Sequence, residues 1–174
     1  MMKTIFITGA SSGIGKATAE LFSANGWQVI ATMRNPEKGK ALTELPNTVV
    51  MPLDVTNTKQ IQETCRKTLE QYDVDVLFNN AGYGIMAPLE AFSEADIRRL
   101  FDTDVIGTMI VTQQFIPHFK KRRSGTILTT TSLAGVIGFP RDAVYGAAKR
   151  AQEGMVESLS LIHISEPTRL DVIS

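Results

Sequence analysis

Short apolar, β-branched runs alternate along this chain with stretches of helical length whose apolar positions recur every three to four residues. Thr4-Ile5-Phe6-Ile7-Thr8 reads as a strand, followed by a helix from Ile14 to Asn25 that Gly26 terminates. Gln28–Thr32 and Thr48–Met51 read as the second and third strands, with a short helix near Pro36 to Leu42 between them. Thr56 is placed to cap a helix running to Gln71, and Val74–Phe78 reads as the fourth strand. Ser93 caps further helix, a long helical stretch runs from Ile97 towards Lys121, and Thr126–Thr130 reads as the fifth strand. A last helix carries Tyr145 and Lys149, with Ala147, Ala151, Met155 and Leu159 on one face. Such β-α repetition predicts an α/β fold, a doubly wound parallel sheet covered by helices on both faces.

A length of 174 residues suits one domain, and 43% hydrophobic with 21% charged residues is ordinary for a soluble globular chain. Eighteen basic residues balance eighteen acidic ones, which argues against a nucleic-acid or anionic-membrane partner. No apolar run has membrane-spanning length, and the N-terminus runs into a strand pattern without room for a signal peptide. Cys65 is the only cysteine, so an internal disulfide framework is excluded. Its neighbours give no sign of a reactive thiolate, and a reducing, cytoplasmic setting is the default reading.

Chemistry first shows at the turn after the first strand, Thr8-Gly9-Ala10-Ser11-Ser12-Gly13-Ile14-Gly15. Gly9 lets the chain leave the strand tightly, Gly13 lets backbone approach a pyrophosphate, and Gly15 permits close helix–strand packing. The helix N-terminus that follows offers free N–H groups to phosphates. Glycines alone would also suit a plain loop; their position between strand and helix points to a Rossmann-like dinucleotide site. An NAD site would place a carboxylate near the end of the second strand. That strand ends instead in Thr32-Met33-Arg34-Asn35, and Arg34 suits a 2′-phosphate, so NADPH is expected over NADH.

Tyr145 and Lys149 lie four residues apart and share a helix face, and Ser132 stands thirteen residues upstream of Tyr145. Tyrosine is a poor base at neutral pH. An ammonium about 4 Å away, at an effective dielectric of about 20, favours phenolate by up to roughly 4 kcal/mol. That suits Tyr145 to general acid–base work on a carbonyl or alcohol oxygen, with Ser132 donating a hydrogen bond to the same oxygen.

The glycine turn, Asp54, Asn79-Asn80-Ala81-Gly82, Ser132 and Tyr145-x-x-x-Lys149 occur in this order over residues 3 to 158. In that combination the chain resembles the short-chain dehydrogenase/reductase family of single-domain oxidoreductases. The resemblance implies that Asp54 sits at the adenine with Val55 beside it. It implies that Asn80, Ala81 and Gly82 line the path to the nicotinamide, and that Lys149 also holds the nicotinamide ribose. It further implies a homo-oligomer built on the long helix and the Tyr145 helix. One position departs from the pattern. Where the family has asparagine in Asn-Val-x-Gly, this chain reads Asp104-Val105-Ile106-Gly107. An aspartate there can pair with Lys149 and dampen its effect on Tyr145.

Leu159-Ser160-Leu161-Ile162-His163-Ile164-Ser165-Glu166-Pro167-Thr168-Arg169 looks like the translated end of a transposon-based sequencing-library adapter. The competing reading is a natural, shortened sixth strand, since residues 160 to 165 alternate with a period near two. On the first reading residues 159–174 are a non-native tail, and His163 and Glu166 have no functional role. The chain is then an N-terminal fragment, truncated after the fifth strand and the start of the next helix. As written it is expected to be poorly soluble and inactive, with an edge strand left bare. His118 reads as a helix-terminal histidine, and no metal site is evident. The expected function of the whole protein is NADP-dependent hydride transfer to or from a ketone, aldehyde or secondary alcohol. The alternative is a non-catalytic dinucleotide-binding or sensor protein on the same fold.

Overall fold

The computed structural model describes residues 2–162, the last two by their backbone only. Five parallel strands, β1 (Thr4–Ile7), β2 (Gln28–Met33), β3 (Thr48–Pro52), β4 (Val76–Asn79) and β5 (Thr126–Thr129), form one sheet in the order β3-β2-β1-β4-β5. The helices are α1 (Gly13–Ala24), α2 (Lys40–Thr43), α3 (Thr58–Gln71), α4 (Glu94–Phe101), α5 (Thr108–Arg122) and α6 (Ala143–Ile162). A π-helical turn, Asp102–Gly107, joins α4 to α5.

The sheet is covered on both faces, as near-continuous apolar runs require. Every residue of β1 and β2 is buried. One core places Phe6, Ile30, Leu77, Val111 and Phe115 together with Ile61 and Cys65 of α3. The other packs Ile5, Ile7, Val29 and Ala31 against Ala19 of α1 and Leu42 of α2. Strand order reverses between β1, which pairs Ile5 with Val29 on one side, and β4, which pairs Val76 with Ile5 on the other. In an open parallel sheet this reversal opens a crevice beyond the carboxyl ends of the strands.

Local signals place most element ends. Ser93 caps α4 by accepting a hydrogen bond from the Asp96 amide, and Gly26, at φ +75°, follows α1 in the left-handed conformation. Asn57, not Thr56, caps α3, accepting from the Gln60 amide. The Thr56 hydroxyl is engaged elsewhere, donating to Asp54 Oδ1 at 2.8 Å. Strand β4 starts at Val76 rather than Val74, whose carbonyl accepts from Arg122 Nη1 at 2.5 Å and lies 3.0 Å from His118 Nε2. The long helix expected from Ile97 is interrupted by the π-helical turn. Helix α6 runs through Ile162, past Ser158, and its buried face is Val144, Ala148, Gln152 and Val156 rather than the Ala147 face. Most of the adapter-like string, including His163 and Glu166, lies outside the described residues. Among the described residues no helix is long and apolar enough to cross a membrane.

Candidate active site

A cleft of about 530 Å³ opens at the carboxyl ends of the strands. Its walls come from the turn after β1 (Gly9, Ser11, Ser12, Gly13, Ile14), from Met33 and Arg34, and from Leu53 to Thr56. The remainder is Asn80 to Gly84, Thr103, Thr130, Tyr145 and Lys149.

The turn is built for close approach. Gly9 has φ +69°, and a β-carbon there would stand 2.8 Å from Ala81 Cα. Gly13 has φ +54° with open space where a side chain would project. Ser12, extended at φ −160°, makes no side-chain cap to α1, and the first turn of that helix holds no acidic residue. Its orphan amides and positive dipole end are therefore left to an anion. Thr8 ties the turn to the segment after β4. Its Oγ1 accepts from the amides of Asn80 and Ala81, both at 3.0 Å. Asn80 Nδ2 donates back to the carbonyls of Thr8 (3.1 Å) and Gly9 (3.2 Å). Asn79 reaches the other way, donating to Thr112 Oγ1 of α5 at 2.8 Å. These residues fit a dinucleotide, with pyrophosphate at the α1 N-terminus and bare glycine backbone facing it.

Arg34 is exposed at the cleft margin beyond β2 and forms no ion pair with an acidic side chain among the described residues. Asp54, past the end of β3, closes a local turn by accepting from the Thr56 amide at 2.9 Å, and its own amide donates to Gln60 Oε1 at 2.6 Å.

Helix α6 brings Tyr145 and Lys149 into the same cleft from one face. Lys149 Nζ donates to the Thr130 carbonyl at 3.1 Å and lies 5.4 Å from the centre of the Tyr145 ring. It also stands 3.4 Å from Asp104 Oδ2, an ion pair without hydrogen-bond geometry. The Asp104 side chain is wholly buried, and its Oδ1 accepts from the Tyr83 amide at 3.1 Å. Its backbone carbonyl accepts from Gln152 Nε2 at 2.6 Å and Thr108 Oγ1 at 2.8 Å. Burial pushes the Asp104 carboxyl up from its ordinary range, more than the Lys149 ammonium and the Tyr83 amide draw it down. Burial likewise pushes Lys149 down, against the opposing pull of Asp104. Gly84 lies flat against Tyr145, where a β-carbon would come 3.4 Å from the ring.

The cleft thus gathers the glycine turn, Arg34, Asp54, Val55, Asn80, Ala81, Gly82, Tyr145 and Lys149, with Asp104 directly behind Lys149 and Gly15 beneath the turn. Ser132 is not among the lining residues; it caps the short 3-10 turn Leu133–Gly135, accepting from the Ala134 amide at 3.2 Å. His118 is remote, beside Asp73 and Val74 at the amino end of β4. Thr8 opens the glycine turn but has no role read from sequence, and no motif marks Thr130, Tyr83 or Gly84. The two threonines read as ordinary β-branched strand residues; their position at strand carboxyl ends was the available signal. Among the described residues no group of three or more His, Cys, Asp or Glu could hold a metal ion.

Fold and cleft together define a dinucleotide-binding α/β domain with a Tyr–Lys pair lining the same cleft. The chain belongs to the short chain dehydrogenase family, whose model matches residues 3–172. It is 36% identical over 158 residues to a 3-ketodihydrosphingosine reductase of Bacteroides thetaiotaomicron, covering 90% of this chain and 57% of that protein. The crystal structure of a short-chain dehydrogenase from Streptomyces avermitilis superposes with a TM-score of 0.90 at 34% identity, covering 93% of this chain and 61% of that one. The structure of ElxO with NADP bound gives a TM-score of 0.88 at 31% identity, covering 94% and 68%. The chain spans just over half the length of the curated relatives named first among its matches.

Proposed function

We propose that the whole protein transfers hydride between NADP and a ketone, aldehyde or secondary alcohol. The observation that carries this reading is the placement of Tyr145 and Lys149 in the same cleft as the glycine turn. The nicotinamide, when bound, supplies or accepts the hydride. The residues do the rest. The α1 N-terminus holds the pyrophosphate, and Lys149 directs its ammonium toward the nicotinamide ribose and the Tyr145 ring. Tyr145 delivers a proton to the substrate oxygen during reduction and removes it during oxidation. Arg34 reads the 2′-phosphate of the adenosine ribose through its guanidinium fork. Ser132, the cap of the 3-10 turn Leu133–Gly135, donates to the substrate oxygen once the site is assembled. A cytoplasmic setting suits a chain whose one cysteine is a buried free thiol. Exposed Ile106 and Met109 support self-association along the long helix.

The test uses the whole protein expressed from the source DNA, read past the codon for Ser158. Continuation there into the family's sequence supports the reading of residues 159–174 as adapter; genomic reads carrying the same tail overturn it. The purified protein is assayed against a panel of carbonyls with NADPH and with NADH. Tyr145→Phe is expected to lower turnover by about 10²-fold or more with cofactor affinity nearly intact. Arg34→Ala is expected to weaken NADPH binding by roughly tenfold and leave NADH unchanged. Equal efficiency with both cofactors refutes the NADP preference. Cofactor binding with no turnover on any carbonyl moves the assignment to a dinucleotide-binding sensor.

A further inference from the structure

A lysine taken out of water loses its proton unless an anion holds it. The Lys149 side chain is 5% exposed and that of Asp104 is 0% exposed. Among the described residues Lys149 Nζ has two polar partners, the Thr130 carbonyl at 3.1 Å and Asp104 Oδ2 at 3.4 Å. The carbonyl brings a partial charge and the carboxylate a full one, at similar range. The other ionisable groups on the elements packed around the pair are Tyr145 and Glu153 on the Lys149 helix, Glu153 one turn beyond with its Oε1 buried beside Gly135, and Tyr83 on the segment after β4. Arg34 and Asp54 stand on the far arms of the cleft, past the ends of β2 and β3.

Asp104 is held firmly enough to do this. The π-helical turn aims it inward, Tyr83 N–H donates to one carboxylate oxygen, and Gln152 and Thr108 fix its backbone carbonyl. The second oxygen, Oδ2, has no hydrogen-bond partner among the described residues and faces Lys149. An asparagine there would keep the shape and the acceptor for Tyr83 and remove the charge.

Resting on the proposed activity, we infer that Asp104 is a positioning residue that keeps buried Lys149 an ammonium, so that the Asp104–Lys149 pair sets the alkaline limit of the site. Asp104 then acts through Lys149 and touches neither substrate nor cofactor. In a site carrying asparagine, the same lysine would shed its proton at lower pH.

The experiment is an NMR titration of the lysine side-chain carbons of the whole protein across neutral and alkaline pH, with Lys149 assigned by Lys149→Met. Asp104→Asn is expected to reduce the proton affinity of Lys149 by about tenfold or more, and Asp104→Glu to restore most of it. In unsubstituted protein, the Asp104 carboxyl carbon should shift at the pH where Lys149 titrates. An unchanged Lys149 midpoint in Asp104→Asn, with the fold intact by circular dichroism, overturns the inference. So does an Asp104 carboxyl signal indifferent to the Lys149 titration, which decides the matter even if the variants fail to fold. The alkaline limb of turnover should move to lower pH in Asp104→Asn. If Lys149 responds as stated and no carbonyl is turned over, the pair stands and the proposed activity falls. If turnover is found and Lys149 does not respond, the reverse holds.

Discussion

Gly15, in the first turn of α1, lies so close to Asn80 that a β-carbon on it would overlap the Asn80 amide nitrogen. That nitrogen already donates to the carbonyls of Thr8 and Gly9, so it has nowhere to retreat. The glycine thus sets the distance between the first turn of α1 and the segment after β4 that lines the cleft. Gly15→Ala is expected to cost about 1–3 kcal/mol by overpacking and to weaken dinucleotide binding. Urea denaturation and calorimetric titration with NADPH check it; a variant of unchanged stability and affinity would show that the turn yields.

Asp75 stitches the amino ends of two strands to α5. It accepts from the Thr4 amide at 2.8 Å and from Arg122 Nη2 at 2.9 Å. Burial alone would push its carboxyl up, but the Thr4 N–H and the Arg122 guanidinium outweigh that and hold it below the ordinary carboxylate range. A depressed folded-state value means the stabilisation is fully present above the unfolded-state value near 3.8 and fades as pH falls through the folded one. Asp75→Asn is expected to cost about 1.5–3 kcal/mol at neutral pH and to flatten the acid limb of stability. Denaturation midpoints measured from neutral to acid pH read both effects.

Cys65 sits fully buried in the core under α3, and burial pushes its thiol up to about 12. An aromatic disulfide reagent is expected to label it only as fast as the domain opens, and at once in denaturant. Prompt labelling of the native protein would contradict that burial.

Phe115 fixes α5 to the sheet. Its ring centre lies 4.9 Å from that of Phe6 and 6.1 Å from that of Phe119, with no solvent exposure. Phe115→Ala is expected to cost about 3–5 kcal/mol. Because Thr112, one turn away, receives the Asn79 amide, cofactor affinity should fall with it. Parallel loss in urea midpoint and NADPH affinity is the outcome to look for.

The strands and the glycine turn were legible because a parallel sheet buried on both faces demands unbroken apolar runs, and because glycine at positive φ leaves few readings. The α6 face was misplaced because two of its most buried residues, Lys149 and Gln152, are polar and do not count toward an apolar stripe. The Thr56 cap failed because Asp54, two residues earlier, captured that hydroxyl first. The charge on Asp104 was visible in sequence. Its burial against Lys149 depended on a change of helical pitch that has no periodicity of its own to read.

The widened turn at Asp102–Gly107 makes the length of this helix matter as much as its composition. Each residue of a regular helix advances the side-chain direction by about 100°. The widened turn already takes up about one residue more than a regular turn, so deleting a residue from α5 between it and Phe115 would swing everything beyond round by roughly that angle. Asp104 could then stay behind Lys149, or Phe115 could stay against Phe6, but not both. The helix therefore tolerates exchange of many side chains more readily than the gain or loss of a single residue.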